Sequence, residues 1–386
     1  ATEKVGPDIS SHQSHSNFGE ISYRYCTELL IDRTPGHEEK VRKKLMDMGD
    51  SLIISNGKRM TKIHIHTNSP SECVSYLRRY GNIIQQKVDD MYRQNQAVNA
   101  EAGRVGVLTD SIADTPNELL DKYHIHVLNL KLLWDDEEFL DRLTITPDEF
   151  YRQQMIRSTF PGSSAPERER IDILYEYLME YYDSIIVLPV AKALSATMNV
   201  MSEASAVYNR DKKRIEVIDT CLNSAAQGLL VSEIAAAAAE GKNLSELKEM
   251  AEELKRRIKI YVSVSTFKYM VKGGRVSPLK GLAAKLMNLK PIVSLDDEGH
   301  GTAFEKAFSR KGLIKKITEI IRVTDERKGI NKYAVVHASA PQQASEFANV
   351  VSGITGRPPY YITDISPIVG MHSGKGAVAI AVIERS

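Results

Sequence analysis

Residues 104–111 read Arg-Val-Gly-Val-Leu-Thr-Asp-Ser, and this stretch decides the fold expected for most of the chain. The small and apolar residues 105–108 predict a buried strand. Residues 109–111 put short polar groups at its carboxyl end, and residues 115–118, Thr-Pro-Asn-Glu, carry the capping pattern that starts a helix. Open α/β sheets place ligands where such a strand ends, although a capped turn without a ligand explains this stretch equally well.

Strands and helices alternate after this stretch as far as residue 259. The next strand along the chain is predicted at residues 125–133. The alternation predicts a parallel sheet covered by helices on both faces. Residues 260–386 form a second predicted lobe, with a helix near 278–287 and a hairpin around 296–301. The fold class expected is α/β with two lobes, at 104–259 and 260–386.

A smaller unit precedes the two lobes. Residues 19–100 follow the order β-α-β-β-α-β, with a first strand at 21–31 and a tight turn at Asn56-Gly57. This order is typical of a small ferredoxin-like α+β domain. Residues 89–100 are expected to be a polar tail. Residues 1–18 lack apolar periodicity and are expected to be a linker or the truncated end of a longer chain.

The composition argues against several classes of protein. The formal net charge is +1 over 386 residues, so nothing indicates a nucleic-acid partner. Three cysteines do not make a disulfide framework, which favours a reducing, cytoplasmic compartment. The longest apolar stretch, residues 225–239, is interrupted by polar side chains and is too short to span a bilayer. We therefore expect no transmembrane segment.

Two histidines and a cysteine in the small N-terminal unit could bind a metal ion. His64 and His66 lie two residues apart on a predicted strand, so both imidazoles project from the same face. Cys26 lies on the other probable core strand of this unit. One cysteine and two histidines around an open position is a known zinc arrangement. The alternative is a surface histidine pair and an unrelated core cysteine.

Hydroxyl groups collect at the ends of the predicted strands in the larger part of the chain. The residues concerned are Thr109, Ser111, Ser163, Ser164 and Ser195. His372 lies in a glycine-rich turn before the last strand. Several hydroxyls and an imidazole with few acids predict a site for an anion such as a carboxylate. Each serine taken alone could equally be a helix N-cap.

Together these stretches resemble the DegV family over residues 104–386. The motifs that carry the resemblance include Val107-Leu108-Thr109-Asp110-Ser111, Ser163-Ser164-Ala165-Pro166, Leu194-Ser195-Ala196-Thr197, Lys272-Gly273-Gly274-Arg275 and His372-Ser373-Gly374-Lys375-Gly376. The resemblance implies a two-lobed α/β fold that binds a long-chain fatty acid between the lobes. The side chains that it places at or near the carboxylate are Ser163 or Ser164, Ser195, His372, Arg275 and Arg310. The chain departs from the family pattern at Ala165, Ala196, Met198 and Lys375.

Residues 19–98 resemble a domain found in the catalytic component of bacterial fatty acid kinase, which is related to dihydroxyacetone kinase. The matching motifs are Tyr23-Arg24-Tyr25-Cys26-Thr27-Glu28, Gly49-Asp50-Ser51-Leu52 and Lys62-Ile63-His64-Ile65-His66-Thr67-Asn68. This resemblance implies that Cys26, His64 and His66 hold a metal ion, expected to be zinc. The resemblance does not extend to the ATP-binding domain of that family, which is expected to be absent from this chain. The chain is therefore expected to bind a fatty acid and to present its carboxylate to a separate ATP-binding kinase domain or subunit, without being an enzyme on its own.

Two other functions stay open at this stage. The first is a zinc-dependent hydrolase that uses Cys26, His64 and His66 with an open fourth position. The second is a sugar-phosphate or nucleotide-binding protein that uses the crevice of the α/β sheet. An apolar tunnel would favour the fatty acid, a water-filled metal site in a cleft would favour the hydrolase, and a polar pocket with cationic walls would favour the phosphate ligand.

Overall fold

The structure is a computed structural model. It describes residues 21–32, 36–98, 104–210, 214–264, 266–275, 290–307 and 309–385. Two of the predictions, for residues 1–18 and for a helix near 278–287, lie outside these ranges. Within the described ranges, no helix has both the length and the apolar character needed to cross a membrane.

The N-terminal part is a four-stranded antiparallel sheet with two helices against one face. Its elements are β1 Tyr25–Asp32, α1 Glu38–Met46, β2 Gly49–Asn56, β3 Met60–Thr67, α2 Pro70–Leu77 and β4 Ile83–Asp90. The strand order β2-β3-β1-β4 is that of a ferredoxin-like domain, as predicted. Leu29 and Ile63 pack with Leu45 and Leu77 of the helices in one core. Neighbouring residues of β1 and β3 alternate onto the opposite face.

Two predictions for this part were wrong. The chain from Met91 to Val98 forms helix α3 instead of a polar tail. Met91 and Ala97 are buried, and the Tyr177 hydroxyl donates to the Gln94 carbonyl, so tertiary contacts stabilise a helix that periodicity alone does not indicate. The hairpin turn also lies later in the chain than predicted, because β2 continues through Asn56 and the Gly57 N–H donates to the Met60 carbonyl, which leaves Lys58 and Arg59 as the turn residues.

The first lobe is built on a four-stranded parallel sheet, as predicted, with strand order β11-β10-β5-β6. The strands are β5 Val105–Asp110, β6 Ile125–Leu128, β10 Ser184–Leu188 and β11 Ile215–Val217. The helices are α4 Asn117–Lys122, α5 Pro147–Ile156, α6 Arg168–Tyr181, α7 Thr197–Tyr208, α8 Ser224–Ala239 and α9 Leu244–Arg257. Every residue of β5 is buried. Helix α4 starts one residue later than predicted, with Pro116 at the N-cap.

A small antiparallel sheet extends the first lobe and corrects another prediction. Its strands are β7 Lys131–Trp134, β8 Glu137–Leu140 and β9 Gly162–Ser164, in the order β8-β7-β9. The single strand predicted at residues 125–133 is therefore two strands, β6 and β7, in different sheets. The chain leaves the parallel sheet at Asn129, whose side chain donates to the Asp141 carbonyl. Apolar residues on both sides of this turn conceal it in the sequence.

The second lobe is a six-stranded mixed sheet with strand order β14-β13-β12-β17-β15-β16. The strands are β12 Ile258–Ser263, β13 Lys290–Leu295, β14 Gly301–Ala307, β15 Ile330–His337, β16 Tyr361–Asp364 and β17 Val378–Glu384. The helices are α10 Lys268–Gly273, α11 Arg310–Lys328, α12 Pro341–Thr355 and α13 Pro367–Ser373. The predicted hairpin around Asp296–Gly301 is confirmed, since it joins β13 to β14.

Helix α8 joins the two lobes. It contacts β5 of the first sheet and also β12, β15 and β17 of the second. A helix between two sheets needs apolar side chains around its whole circumference, which explains why residues 235–239 are all alanine.

Charged side chains fasten the N-terminal domain to the first lobe. The Arg24 guanidinium donates to Asp90 within its own domain and to Asp121 of α4 at 2.7 Å. Arg78 pairs with Glu137 and lies 3.7 Å from the centre of the Phe139 ring. The ferredoxin-like domain therefore docks through ion pairs on the edge of the first lobe.

Candidate functional site

A cavity of about 240 Å³ lies between the two lobes. Most of its wall is apolar. The first lobe contributes Ile112, Val190 and Leu194, and the second lobe contributes Val262, Val293 and Val336. The side chains of the second lobe come from β12, β13 and β15. Those of the first lobe come from the segments that follow β5 and β10. The cavity is therefore suited to a slender apolar ligand.

Five of the residues that the sequence singled out line this one cavity. They are Ser163 and Ser164 on β9, Ser195 before α7, Arg275 after α10 and His372 on α13. Their segments are far apart in the chain, and the fold brings them together. Helix α11 starts at Arg310, but the side chain of this residue is outside the described part of the structure.

Ser195 combines a structural contact with a place in the cavity wall. Its Oγ accepts a hydrogen bond from the Thr197 N–H at 3.2 Å and lies 2.9 Å from Thr197 Oγ1. Ser195 thus binds the first N–H group of α7, although the N-cap itself is Ala196 and not the serine that the simpler interpretation of the sequence predicts. Its hydroxyl proton can still be donated either to Thr197 or to a ligand, so the two roles are compatible.

The imidazole of His372 is neutral at physiological pH. Burial and the nearby positive charge of Arg275 lower the pKa of His372 to about 4. Its Nδ1 atom is buried and has no hydrogen-bond partner among the described residues. A buried polar atom without a partner is costly, so a ligand that accepts a hydrogen bond from the imidazole would stabilise this arrangement.

Arg275 supplies positive charge at the rim of the cavity. Its side chain is exposed and donates to the Gly273 carbonyl at 2.6 Å. No carboxylate within the described ranges forms an ion pair with it. An anionic ligand would therefore meet a guanidinium that still has donors available.

Thr109 and Ser111 lie outside this cavity. The Thr109 hydroxyl donates to the Leu188 carbonyl at 2.8 Å. The Ser111 hydroxyl donates to Asp141 Oδ2 at 2.6 Å. Both side chains are buried, and their donors are already used within the first lobe. The structure thus separates these two hydroxyls from the other predicted site residues.

The polar ends of the first-lobe strands contain three buried carboxylates that the sequence analysis did not treat as a group. Desolvation by burial raises the pKa of Asp110 to about 6 and the pKa values of Asp114 and Asp141 to about 7. The cavity wall also includes Ser224, whose hydroxyl donates to Asp114 Oδ2 at 2.5 Å. Ser224 begins α8, so its position before an apolar run is the signal that could have identified it.

The predicted metal ligands converge on the open face of the N-terminal sheet. One ligand atom each from Cys26, His64 and His66 lies within 4.8 Å of the others, and Cys26 Sγ is 3.9 Å from His64 Nδ1. Tetrahedral zinc with the usual bond lengths separates a sulfur and a nitrogen ligand by about 3.6 Å. Carboxylate oxygens of Glu28 and Asp50 lie 3.7 and 3.6 Å from the Nδ1 atoms of His64 and His66. The donor set therefore fits zinc.

A second and larger opening lies between the N-terminal domain and the first lobe. Its volume is about 850 Å³. Among the described residues that line it, carboxylates outnumber cationic groups. The acidic residues are Asp89, Asp90, Asp110, Asp114, Glu138, Glu167, Glu169 and Asp364, and the basic ones are Lys87, Arg93, Lys131, Arg142 and Arg170. Such a wall disfavours a phosphate ligand.

Gly273 provides a direct test of the cavity wall near His372. A Cβ atom on Gly273 would overlap the imidazole of His372, so only glycine allows the ring its present position. We expect the added methyl group of the Gly273→Ala variant to displace the His372 ring. The affinity for a ligand in this cavity should then fall about tenfold, since one hydrogen bond to the ligand is lost. The matched control is Gly353→Ala, because an added Cβ there meets nothing within 4 Å. Equal affinities for the two variants, measured by calorimetry, would contradict this prediction.

Comparisons with known proteins agree with this geometry. Residues 104–385 match the model of the family described as "Uncharacterised protein, DegV family", and residues 22–98 match a family model for the middle domain of fatty-acid-kinase-like proteins. A DegV domain-containing protein of Clostridium acetobutylicum is 31% identical over 283 residues, which are 73% of this chain and 99% of that protein.

Two solved structures from Thermotoga maritima show the same fold in the larger part of the chain. A DegV lipid binding protein is 27% identical with a TM-score of 0.64, covering 73% of this chain and 100% of the other. A protein described as revealing fatty acid binding function is 25% identical with a TM-score of 0.63, covering 73% and 99%.

Proposed function

This chain belongs to the DegV family, and on that premise we propose that it binds a long-chain fatty acid in the cavity between its lobes. The observation that carries the proposal is the meeting of Ser163, Ser195 and His372 at one apolar cavity. The lipid and fatty acid binding ascribed to the two Thermotoga maritima relatives supports it. The acyl chain occupies the apolar part, and the carboxylate lies against the hydroxyls and the imidazole.

The cavity supplies the two kinds of contact that a fatty acid requires. Each methylene that leaves water contributes about 0.8 kcal/mol, so the apolar walls provide most of the affinity. The carboxylate cannot be buried without partners. Hydroxyls of Ser163, Ser164 and Ser195 and the N–H of His372 each donate one hydrogen bond. Arg275 at the rim adds positive charge.

We further propose that the bound carboxylate is presented to an ATP-binding kinase domain or subunit. The match of residues 22–98 to the middle domain of fatty-acid-kinase-like proteins supports this step. Phosphoryl transfer from ATP needs a nucleotide site with a divalent cation. The role of this chain is then to bury the acyl chain and to hold the head group in place for the kinase.

Zinc belongs to the same proposal. Cys26, His64 and His66 would hold the ion, which would contribute to the stability of the N-terminal domain. A zinc hydrolase would need these ligands on the wall of a substrate cleft. In the described part of the chain, they do not line either opening, so the structure favours a structural role over the hydrolase alternative.

The cavity assignment can be tested by analysing what the purified protein carries. We expect organic extraction and mass spectrometry to find a long-chain fatty acid in the unchanged protein. Ala196 is exposed and lines the cavity, whereas Ala193 is exposed nearby without lining it. The Ala196→Trp variant should therefore lose most of the lipid, because the indole blocks the opening, and Ala193→Trp should retain it. Equal lipid content in the two variants would place the ligand elsewhere.

A further inference from the structure

The short helix α13 carries His372 at its C-terminal end, while two carboxylates of the first lobe hold its N-terminal end. The Ser366 N–H donates to Asp114 Oδ1 at 2.7 Å. The Ile368 N–H donates to Asp141 Oδ1 at 3.2 Å. We call Asp114 and Asp141 the aspartate clamp. Its members are 252 and 227 residues away in sequence from the groups they bind.

The clamp completes the hydrogen bonding of the first turn of the helix. Pro367 has no N–H group, and the Val369 N–H donates to Ser366 Oγ at 3.3 Å. Every N–H group from Ser366 to Val369 thus has a side-chain acceptor. Helix ends leave such groups without partners unless side chains supply them.

Each clamp carboxylate is fixed at its second oxygen by a serine. The Ser224 hydroxyl donates to Asp114 Oδ2 at 2.5 Å, and the Ser111 hydroxyl donates to Asp141 Oδ2 at 2.6 Å. Both aspartates are completely buried. Neither side chain can rotate without breaking hydrogen bonds in a region from which solvent is excluded. The stretch that opens the first lobe therefore anchors the clamp through Ser111.

The helix between the clamp and His372 is short and stiff. It has seven residues, or about 10 Å at the usual rise per residue. A displacement at its start therefore reaches His372 almost undiminished. At the other end the imidazole is confined by Gly273, where no side chain could be accommodated.

We propose that Asp114 and Asp141 are positioning residues that set the placement of His372 at the cavity by holding the start of α13. The inference rests on the proposed fatty-acid site only for its effect on ligand binding. The placement of the ring itself is independent of what the cavity binds.

The test follows the imidazole directly by NMR of the full chain with ¹³C-labelled histidine. We expect Asp114→Ala and Asp141→Ala to shift the His372 ring signals and to weaken fatty acid binding roughly tenfold. Asp114→Asn and Asp141→Asn keep an acceptor oxygen, so these variants should restore both. The matched control is Asp110→Ala, which removes another buried carboxylate. Asp110 accepts from the N–H groups of Ile112 and Val190 and not from α13, so the ring signals should stay in place.

Unchanged His372 signals in a folded Asp141→Ala variant would overturn the inference, and so would an equal shift in Asp110→Ala. If the unchanged protein bound no fatty acid, the proposed function would fail, whereas the ring signals would still decide on the clamp. If the alanine variants do not fold, Ser111→Ala replaces them. It removes the hydroxyl that donates to Asp141 Oδ2 and accepts from the Leu130 N–H, and it should shift the same signals by a smaller amount. No shift in that variant would count against the clamp.

Discussion

The His372→Ala variant is expected to bind a long-chain fatty acid roughly 10- to 100-fold more weakly than the unchanged chain, without unfolding. The variant removes an imidazole N–H donor from a buried carboxylate. A hydrogen bond to a charged group contributes about 1.5–3 kcal/mol, and each 1.4 kcal/mol is about tenfold in affinity. Burial of the acyl tail contributes more in total, at about 0.8 kcal/mol per methylene. The tail should therefore dominate affinity, while His372 should set the orientation of the head group.

The His372→Ala substitution should reduce phosphorylation of the fatty acid more than it reduces binding. Without the contact from His372 the carboxylate can adopt more positions, and phosphoryl transfer depends on a fixed one. We therefore expect phosphorylation by an added kinase domain to be nearly abolished in His372→Ala, even at saturating fatty acid. Unchanged phosphorylation would show that His372 is not at the head group.

The control for this variant is His126→Ala. The imidazole of His126 is also buried, and burial lowers its pKa to about 3. Its Nε2 lies 3.0 Å from the Tyr182 hydroxyl, and the residue does not line the cavity between the lobes. Calorimetry on delipidated proteins should show weaker binding for His372→Ala alone. An equal loss in both variants would indicate general destabilisation.

The low pKa of His372 adds a second measurable quantity. The ring is neutral above about pH 4 in the chain without ligand. A bound carboxylate favours the protonated form and raises this pKa, so binding near pH 6 should take up protons from the buffer. The uptake appears in calorimetry as a dependence of the binding enthalpy on the ionisation enthalpy of the buffer. The uptake should be smaller in His372→Ala by the share that this ring contributes, because no other histidine lines the cavity in the described part of the chain.

The regular part of the fold follows from local sequence patterns. The buried run 105–108 and the polar residues after it predicted β5 correctly, because a strand buried on both faces must be apolar throughout. The alternation of strands and helices likewise predicted the parallel sheet of the first lobe correctly. Errors arose where tertiary contacts decide. Helix α3 is stabilised by docking, and the break between β6 and β7 depends on a hydrogen bond from Asn129 to a distant carbonyl.

In the candidate site too, local sequence features could be predicted, whereas contacts between segments far apart in the chain could not. Local features of the sequence singled out Ser163, Ser195 and His372, although His372 lies in the last turn of α13 and not in the glycine-rich turn that follows it. The sequence did not separate Ser111 from them, because only the fold shows that this hydroxyl faces Asp141. The pairing of Asp114 with the start of α13 joins segments 252 residues apart, and no periodicity in the chain indicates it.

Two of the residues that depart from the family pattern lie in the wall of the cavity between the lobes. Ala165 and Ala196 both line the cavity, so the smaller or larger side chains of relatives would change its shape at these points. Lys375 is exposed, and its Nζ lies 3.9 Å from Met155 Sδ. Ligand preference within the family is therefore expected to differ through residues 165 and 196.

The second large effect that we expect is the loss of zinc from the N-terminal domain when one of its ligands is removed. We predict that the purified chain carries close to one equivalent of zinc and that His64→Ala carries almost none. Three protein ligands hold the ion, and the loss of one leaves a pair that cannot compete with water and buffer. Because metal affinity adds to folding stability, removal of zinc by a chelator should also lower the melting temperature of this domain.

The chain contains a matched control for this prediction. His300 is exposed and lies with Asp296 and Glu298 in another group of potential ligands, so His300→Ala removes a histidine without touching the N-terminal sheet. Metal analysis should find unchanged zinc in His300→Ala and negligible zinc in His64→Ala. Negligible zinc in the unchanged protein, even after refolding with added zinc, would leave His64 and His66 as a surface pair. Retained zinc in His64→Ala would move the ion to other ligands. The antiparallel pairing of β1 and β3 places Cys26 opposite His66. Only a loss of zinc that is confined to His64→Ala supports an ion bound between Cys26, His64 and His66.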